Sequence, residues 1–318
     1  MAVFTRFSGG FCILRVCVAP AAPPPLWAVP GPPGHEKRTP TDADAHDLKI
    51  VVKLRAVPAS KVPFPVEIAG FPDFSRPVPV YPAFLKYVVP VHGDSARCIL
   101  AVHGMMSHKA DTPIRLLAEV AAAQGIQVVS IDLPGHGDRA GEMERCTAQY
   151  CTPEIRRVLE LLLAEGKTVG LFGISLGACF GLMASESLPV SQALLVSPVV
   201  DMAALIESMM GAAGVTLEQL EREGVIPVPD GLPLDWQYYC YVRDHAPMHW
   251  TAPTAVLIGD RDELEPPAVT EAFCQKNGCS LKQIPGAGHW LHTPEELSVL
   301  GSWLEEQLLG CETQENRI

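Results

Sequence analysis

The sequence predicts an α/β protein: a mostly parallel central sheet, helices on both faces and a small helical cap. Three observations carry that expectation. From Cys98 onward, short apolar runs alternate with longer helical patterns, the order that parallel βαβ units produce. The alternation stops between Val200 and Thr251, so an inserted cap is expected at about 201–250. Lastly, Gly173-Ile174-Ser175-Leu176-Gly177 lies where a strand should turn into a helix.

The first 47 residues differ in kind from the rest. Residues 1–35 hold Arg6 and Arg15 but no acid, and proline crowds the stretch from Pro20 to Pro40, including Pro23-Pro24-Pro25 and Pro32-Pro33. Proline fixes φ and removes a donor, so residues 1–47 are expected to be an extended, disordered segment. Arg15 interrupts Phe11-Cys12-Ile13-Leu14, which would otherwise resemble the core of a signal peptide. A dispensable extension on a cytoplasmic protein is the favoured reading. Organellar targeting by this basic, acid-poor segment is the alternative.

One α/β domain is expected over 48–310, followed by a tail at 311–318. A strand near Ile50 to Leu54 opens it, and a proline-rich stretch with Phe64, Phe71 and Phe74 follows. Next come a strand at 98–102, a helix at 113–124 and a strand at 126–131. A helix at 153–165 should turn Leu159, Leu162 and Leu163 inward. The strand at 168–172 enters the glycine-flanked serine, a helix at 178–187 leaves it, and a strand at 193–196 follows. Within the cap, Met202 to Gly211 has a helical apolar pattern, and Thr216-Leu217-Glu218-Gln219 fits a capping box. Residues 227–233 read as a loop and 235–245 as a helix carrying Trp236, Tyr238, Tyr239 and Tyr241. These aromatics, with Met209 and Met210, either line a pocket or pack the cap onto the body. Strands at 254–258 and 281–284 then alternate with helices at 267–276 and 294–309.

The chemistry is expected at the strand ends. A serine between two glycines at a strand-to-helix turn adopts a tight backbone conformation that lifts its hydroxyl, and glycines have no Cβ to clash with the neighbouring strand and helix. Upstream, the run ending at Val102 leads into His103-Gly104-Met105-Met106. The backbone N–H groups of Met105 and Leu176 are therefore candidates for a two-donor oxyanion hole. His103 is expected to brace its loop and not to act as a base. The run Thr254 to Ile258 leads into Gly259-Asp260-Arg261-Asp262-Glu263. Asp262 is the favoured acid because the residues before it let the chain turn back toward the rim; Asp260 and then Asp201 are the alternatives. After the last strand, Pro285-Gly286-Ala287-Gly288 presents His289 as the base, whereas His292 reads as a surface residue before the final helix.

On these residues the chain resembles the α/β-hydrolase superfamily over roughly 65–310. The resemblance rests on the chain order Ser175, Asp262, His289, on His103-Gly104, and on Asp132-Leu133-Pro134-Gly135-His136-Gly137-Asp138, similar to that family's D-x-P-G-H-G loop. His136 is expected to help fix that loop and not to bind metal. The resemblance implies the α/β-hydrolase fold and a serine hydrolase that forms an acyl-enzyme on Ser175. Serine at the elbow argues against dehalogenases and epoxide hydrolases, which use aspartate. Leu176 argues against proline iminopeptidases, and Met105-Met106 against an H-G-G-G oxyanion loop. A carboxylic ester or thioester of a small-molecule acyl group is the expected substrate; amide or peptide hydrolysis and non-catalytic ligand binding are the alternatives.

Composition sets limits on partners. The formal net charge of −12 argues against nucleic acid and acidic membrane surfaces. Arg139, Arg145 and Arg243 are the only suggestive sites for an anionic group. Ten scattered cysteines, several in apolar contexts, read as reduced core thiols, with Cys146 and Cys151 sharing a loop. No metal-ligand spacing and no cofactor motif occurs. The charge-free stretch between Lys167 and Glu186 approaches the length of a membrane span, but its glycines and serines fit a buried strand and helix better. Nothing in the sequence speaks to oligomeric state.

Overall fold

The computed structural model describes residues 95–228, 232–245 and 250–309. The extension at 1–47, the expected strand at 50–54, the stretch with Phe64, Phe71 and Phe74 and the tail at 311–318 lie outside the described residues.

In chain order the body starts with β1 (Arg97–Val102), α1 (Thr112–Ala123) and β2 (Gln127–Ile131). A 3₁₀ stretch (Gly137–Arg145) leads into α2 (Ala148–Ala164), β3 (Thr168–Ile174), α3 (Leu176–Ala184) and β4 (Ala193–Val196). The segment that follows holds α4 (Met202–Ala213), α5 (Leu217–Glu223), the short strands β5 (Val225–Ile226) and β6 (Leu234–Asp235), and α6 (Trp236–Asp244). The body resumes with β7 (Thr254–Gly259), α7 (Pro267–Asn277), β8 (Ser280–Ile284) and α8 (Pro294–Leu309).

Among the described residues six strands form one sheet in the order β2-β1-β3-β4-β7-β8, every neighbouring pair parallel. Consecutive side chains of a strand point to opposite faces, so the sheet separates two apolar cores. From β1, Cys98, Leu100 and Val102 enter the core beneath α2, α3 and the 202–244 segment. Ile99 and Ala101 enter the other, beneath α1 and α8, where Trp303 is the largest wholly buried side chain. A parallel sheet covered on both faces needs strands that are apolar throughout, and β4 and β7 are buried at every position.

One helix departs from expectation. α2 begins at Ala148 and not at Pro153, which lies inside it. Ala148, Cys151, Thr152, Ile155, Val158, Leu159 and Leu162 form a continuous buried stripe, and burying its first members outweighs the preference of proline for a helix start. Cys151 therefore sits in α2, while Cys146 caps the 3₁₀ stretch, so the two do not share a loop. Leu163 is only half-buried. Two helices of the 202–244 segment have local causes: Thr216 Oγ1 accepts the Gln219 N–H at 3.2 Å, and Asp235 Oδ1 accepts the Tyr238 N–H at 2.9 Å. Lys167 to Glu186 divides into β3 and α3, and among the described residues no helix is long and apolar enough to cross a membrane.

Because the strands are parallel, the loops after β1, β2, β3, β7 and β8 meet on one rim. Two of them are tied together by His103. Its Nδ1–H donates to the Gly104 carbonyl at 2.7 Å, and its Nε2 accepts the Leu133 N–H at 3.0 Å. The ring is wholly buried, and burial pushes its pKa down to about 4. Unfolded, the same imidazole takes its proton near pH 6.5. Between those values the unfolded chain binds a proton that the folded chain refuses, so stability falls as pH drops through this window. His103 alone is expected to cost about 2 kcal/mol at pH 5 relative to pH 7. Denaturant unfolding at the two pH values checks this: His103→Gln should flatten the difference, and an unchanged difference refutes it.

Candidate active site

Ser175 stands at the turn between β3 and α3 with φ 50° and ψ −118°, a positive φ that a residue with a Cβ adopts only under constraint. The constraint is close packing on both sides. A Cβ on Gly173 would lie 2.5 Å from the Ala178 Cα, and one on Gly177 would run into the carbonyl oxygens of Val102 and His103. Without those atoms α3 sits directly against the end of β1, and the Ser175 N–H donates to the Val196 carbonyl at 3.0 Å. Gly104 is as close on the other side: a Cβ there would stand 3.1 Å from the Ser175 Cβ.

The structure brings Ser175, His289 and Asp262 together although they are far apart in sequence. Ser175 Oγ lies 2.8 Å from His289 Nε2, and His289 Nδ1 lies 2.8 Å from Asp262 Oδ2. A carboxylate only accepts, so Nδ1 carries the hydrogen and Nε2 offers its lone pair to the serine hydroxyl. Asp262 is 5% exposed, and its Oδ1 also accepts the N–H groups of Leu264 and Glu265, both at 3.0 Å. The other two acids have different work. Asp260 Oδ1 accepts the Gly286 N–H at 2.6 Å, and Asp201 Oδ1 caps α4 through the Ala204 N–H at 3.0 Å.

The loop after β1 runs beside the serine. Met106 has φ 59°, and its N–H donates to His136 Nε2 at 3.0 Å. Among the described residues neither the Met105 N–H nor the Leu176 N–H meets an acceptor. The facing loop after β2 is held by Asp132, which accepts the Lys109 N–H at 2.8 Å and the Asp138 N–H at 3.0 Å and pairs with the Lys109 ammonium. Burial opposes charge on this carboxyl, but these donors prevail and hold its pKa below the usual carboxylate range.

Ser175 and His289 open into a cavity of about 340 Å³, near the small end of ligand pockets. Its walls include Met105, Ile174, Val196, Leu264, Trp290 and Leu291, so they are mainly apolar. His292, read from sequence as a surface residue, also lines it. This ring stacks on Trp290 with centroids 3.9 Å apart, and its Nε2 lies 3.3 Å from Asp111 Oδ2. Ser107 Oγ donates to the same carboxylate at 2.5 Å. The serine bonds the acid and not the imidazole, so this trio lacks the order of a nucleophile–base pair. No local pattern in the sequence joins Asp111 to a histidine so distant in the chain.

The aromatics of α6 do not line this cavity. Tyr238 and Tyr239 are buried in the core beneath α2 and α3, Tyr239 Oη donates to Glu207 at 2.6 Å, and Trp236 stacks on Tyr239. Nor do the suggested arginines form an open anion site. Arg139 and Arg145 both pair with Glu142 and Glu154, and Arg243 pairs with Asp244. Among the described residues no group of three His, Cys, Asp or Glu side chains is placed to hold a metal ion.

Comparison with known proteins bears on the fold and the family. The structure of Est1E from Butyrivibrio proteoclasticus with ferulic acid bound superposes with a TM-score of 0.55 at 22% identity, covering 70% of this chain and 93% of that one. Mouse alpha/beta hydrolase domain-containing protein 10 superposes with a TM-score of 0.56 at 16% identity, covering 67% and 90%. At such identities the likeness shows the fold. In sequence, the bovine mitochondrial palmitoyl-protein thioesterase ABHD10 is 24% identical over 178 residues, 53% of this chain and 58% of the relative. A serine hydrolase-like protein of Dictyostelium discoideum is 32% identical over 97 residues, 30% of this chain and 26% of that protein. The chain thus spans little more than half of one curated relative and about a quarter of the other. The alpha/beta hydrolase family model matches residues 99–298, most of the chain, and to that family the chain belongs.

Proposed function

We propose that the chain is a serine hydrolase that cleaves a carboxylic ester or thioester through an acyl-enzyme on Ser175. The observation that carries this reading is the unbroken hydrogen-bonded series from Asp262 through His289 to the Ser175 hydroxyl, opening into an apolar cavity. Serine is a poor nucleophile until a base takes its proton during attack. His289 has a free lone pair on Nε2 for that purpose. Asp262 holds the ring in this tautomer and stabilises the imidazolium that forms. The carbonyl oxygen of the substrate then takes up charge beside the Met105 and Leu176 N–H groups, two donors with no competing acceptor among the described residues. Collapse of that intermediate expels the alcohol or thiol, protonated by His289, and water repeats the sequence to release the acid.

The apolar walls suit an apolar acyl or aryl group. Met106, Trp290 and Leu264 stand exposed at the cavity's edge, so a chain longer than the cavity meets apolar surface as it leaves. The named activity of the bovine thioesterase and the ferulic acid held by Est1E are consistent with substrates of this kind. In this reading the 202–244 segment is a cap packed on the body through its aromatic core, away from the described cavity. The mitochondrial label of the bovine relative favours the transit reading of the acid-free residues 1–35 over a cytoplasmic one.

A fluorophosphonate probe should label the wild-type chain at Ser175, identified by peptide mass spectrometry. Ser175→Ala should abolish labelling and lower kcat on p-nitrophenyl esters by at least about 10³-fold; retained turnover would falsify the acyl-enzyme. Asp262→Asn should keep the fold and lower kcat on the order of 10³–10⁴-fold, since the wrong tautomer is then favoured. Stopped-flow assay of the folded variant checks this, and a loss below tenfold assigns the orienting role elsewhere.

A further inference from the structure

We propose that His136 is a positioning residue for the oxyanion hole: by accepting the Met106 N–H it fixes the loop that presents the Met105 N–H to the substrate. The inference rests on the acyl-enzyme reading above and adds a residue that sequence had given only a loop-fixing part.

The imidazole has one possible arrangement of its hydrogens. His136 Nδ1 lies 2.9 Å from the Pro134 carbonyl, which only accepts, so Nδ1 carries the hydrogen. Nε2 faces the Met106 N–H at 3.0 Å and therefore offers its lone pair. The ring is 4% exposed, with Cys146 Sγ 3.9 Å from Nδ1, so its position is set by burial as well as by these bonds.

Met106 needs such a restraint. Its φ of 59° is strained for a residue with a side chain, yet that side chain is 89% exposed and packs against almost nothing. Side-chain contacts cannot be what holds the conformation, which leaves the backbone bond to His136. That bond has a second effect: it takes up the Met106 N–H, so of these two N–H groups only that of Met105, a residue lining the cavity, is left without an acceptor among the described residues. The brace is reciprocal. His136, from the loop after β2, takes an N–H of the loop after β1, while His103, from the loop after β1, takes the Leu133 N–H of the loop after β2. The two rings lie 5.1 Å apart. An oxyanion donor misplaced by an ångström loses most of its effect on the developing charge while leaving ground-state binding nearly unchanged.

The test separates the two bonds of one ring in the full-length chain. His136→Gln places an amide oxygen near the Nε2 position and keeps an acceptor for Met106. His136→Asn keeps a donor for Pro134 but reaches no farther. With a p-nitrophenyl ester, His136→Asn is expected to lower kcat on the order of tenfold more than His136→Gln does, with KM changed less than about twofold. Equal losses, the reverse order, or a loss residing in KM overturns the proposal, since a purely structural role depends on the bond to Pro134. Should His136→Asn fail to fold by thermal unfolding, His136→Gln decides: kcat within about tenfold of wild type supports the role, and a larger loss overturns it. These outcomes presuppose that Ser175→Ala is inactive; if that variant turns over, the acyl-enzyme reading has failed and not this inference alone.

Discussion

The site depends on one close approach, that of Gly177 to the carbonyls of Val102 and His103. It seats the first turn of α3 against the end of β1, and three consequences follow from that contact. Ser175 is forced into positive φ, which points its hydroxyl off the sheet. Leu176, the first residue of α3, follows the serine directly, and its N–H has no acceptor among the described residues. Gly104 is brought against the serine itself. A methyl group at position 177 would push α3 away from β1 and disturb all three together.

Buried polar groups hold the loops that meet there, and each finds a partner in a different loop. Asp132 accepts backbone N–H groups from Lys109 in the loop after β1 and from Asp138 in its own loop, and each of the two histidines accepts an N–H from the other's loop. Glu265, 3% exposed, accepts the N–H groups of Val200 and Asp201 at 3.0 and 3.2 Å. Burial raises its pKa above the usual carboxylate range in spite of these donors. Its own N–H donates to Asp262, so the residue that anchors the start of the 202–244 segment belongs to the loop that carries the acid. Leaving any of these groups without a partner costs more than the net worth of its bond, which makes the rim a connected structure and not a set of independent loops.

The body strands from β1 to β8 were legible because parallel strands buried on both faces read as apolar runs. Ser175, Asp262 and His289 were legible because each follows such a run within a few residues, where the chain has to turn. What could not be read belongs to tertiary contact. The start of α2 is set by a buried stripe that overrides the signal of Pro153. His292 meets Asp111 only because the loops after β1 and β8 converge, and nothing near either residue announces the other. Arg139 and Arg145 looked available for an anion until the fold set Glu142 and Glu154 beside them. The aromatics of α6 have the same composition whether they line a cavity or fill a core, and only packing tells which.

All nine residues of α3 are buried, and the helix aims its first turn at Ser175. The aligned peptide dipoles of a helix leave partial positive charge at that end. On an exposed helix, water and dissolved ions weaken such a field within a turn or so. Here all nine residues are buried, so the helix runs through a medium of low permittivity and meets solvent mainly at the cavities beside it. The attraction this helix end exerts on negative charge is thus screened less by dissolved ions than that of a helix lying on the surface.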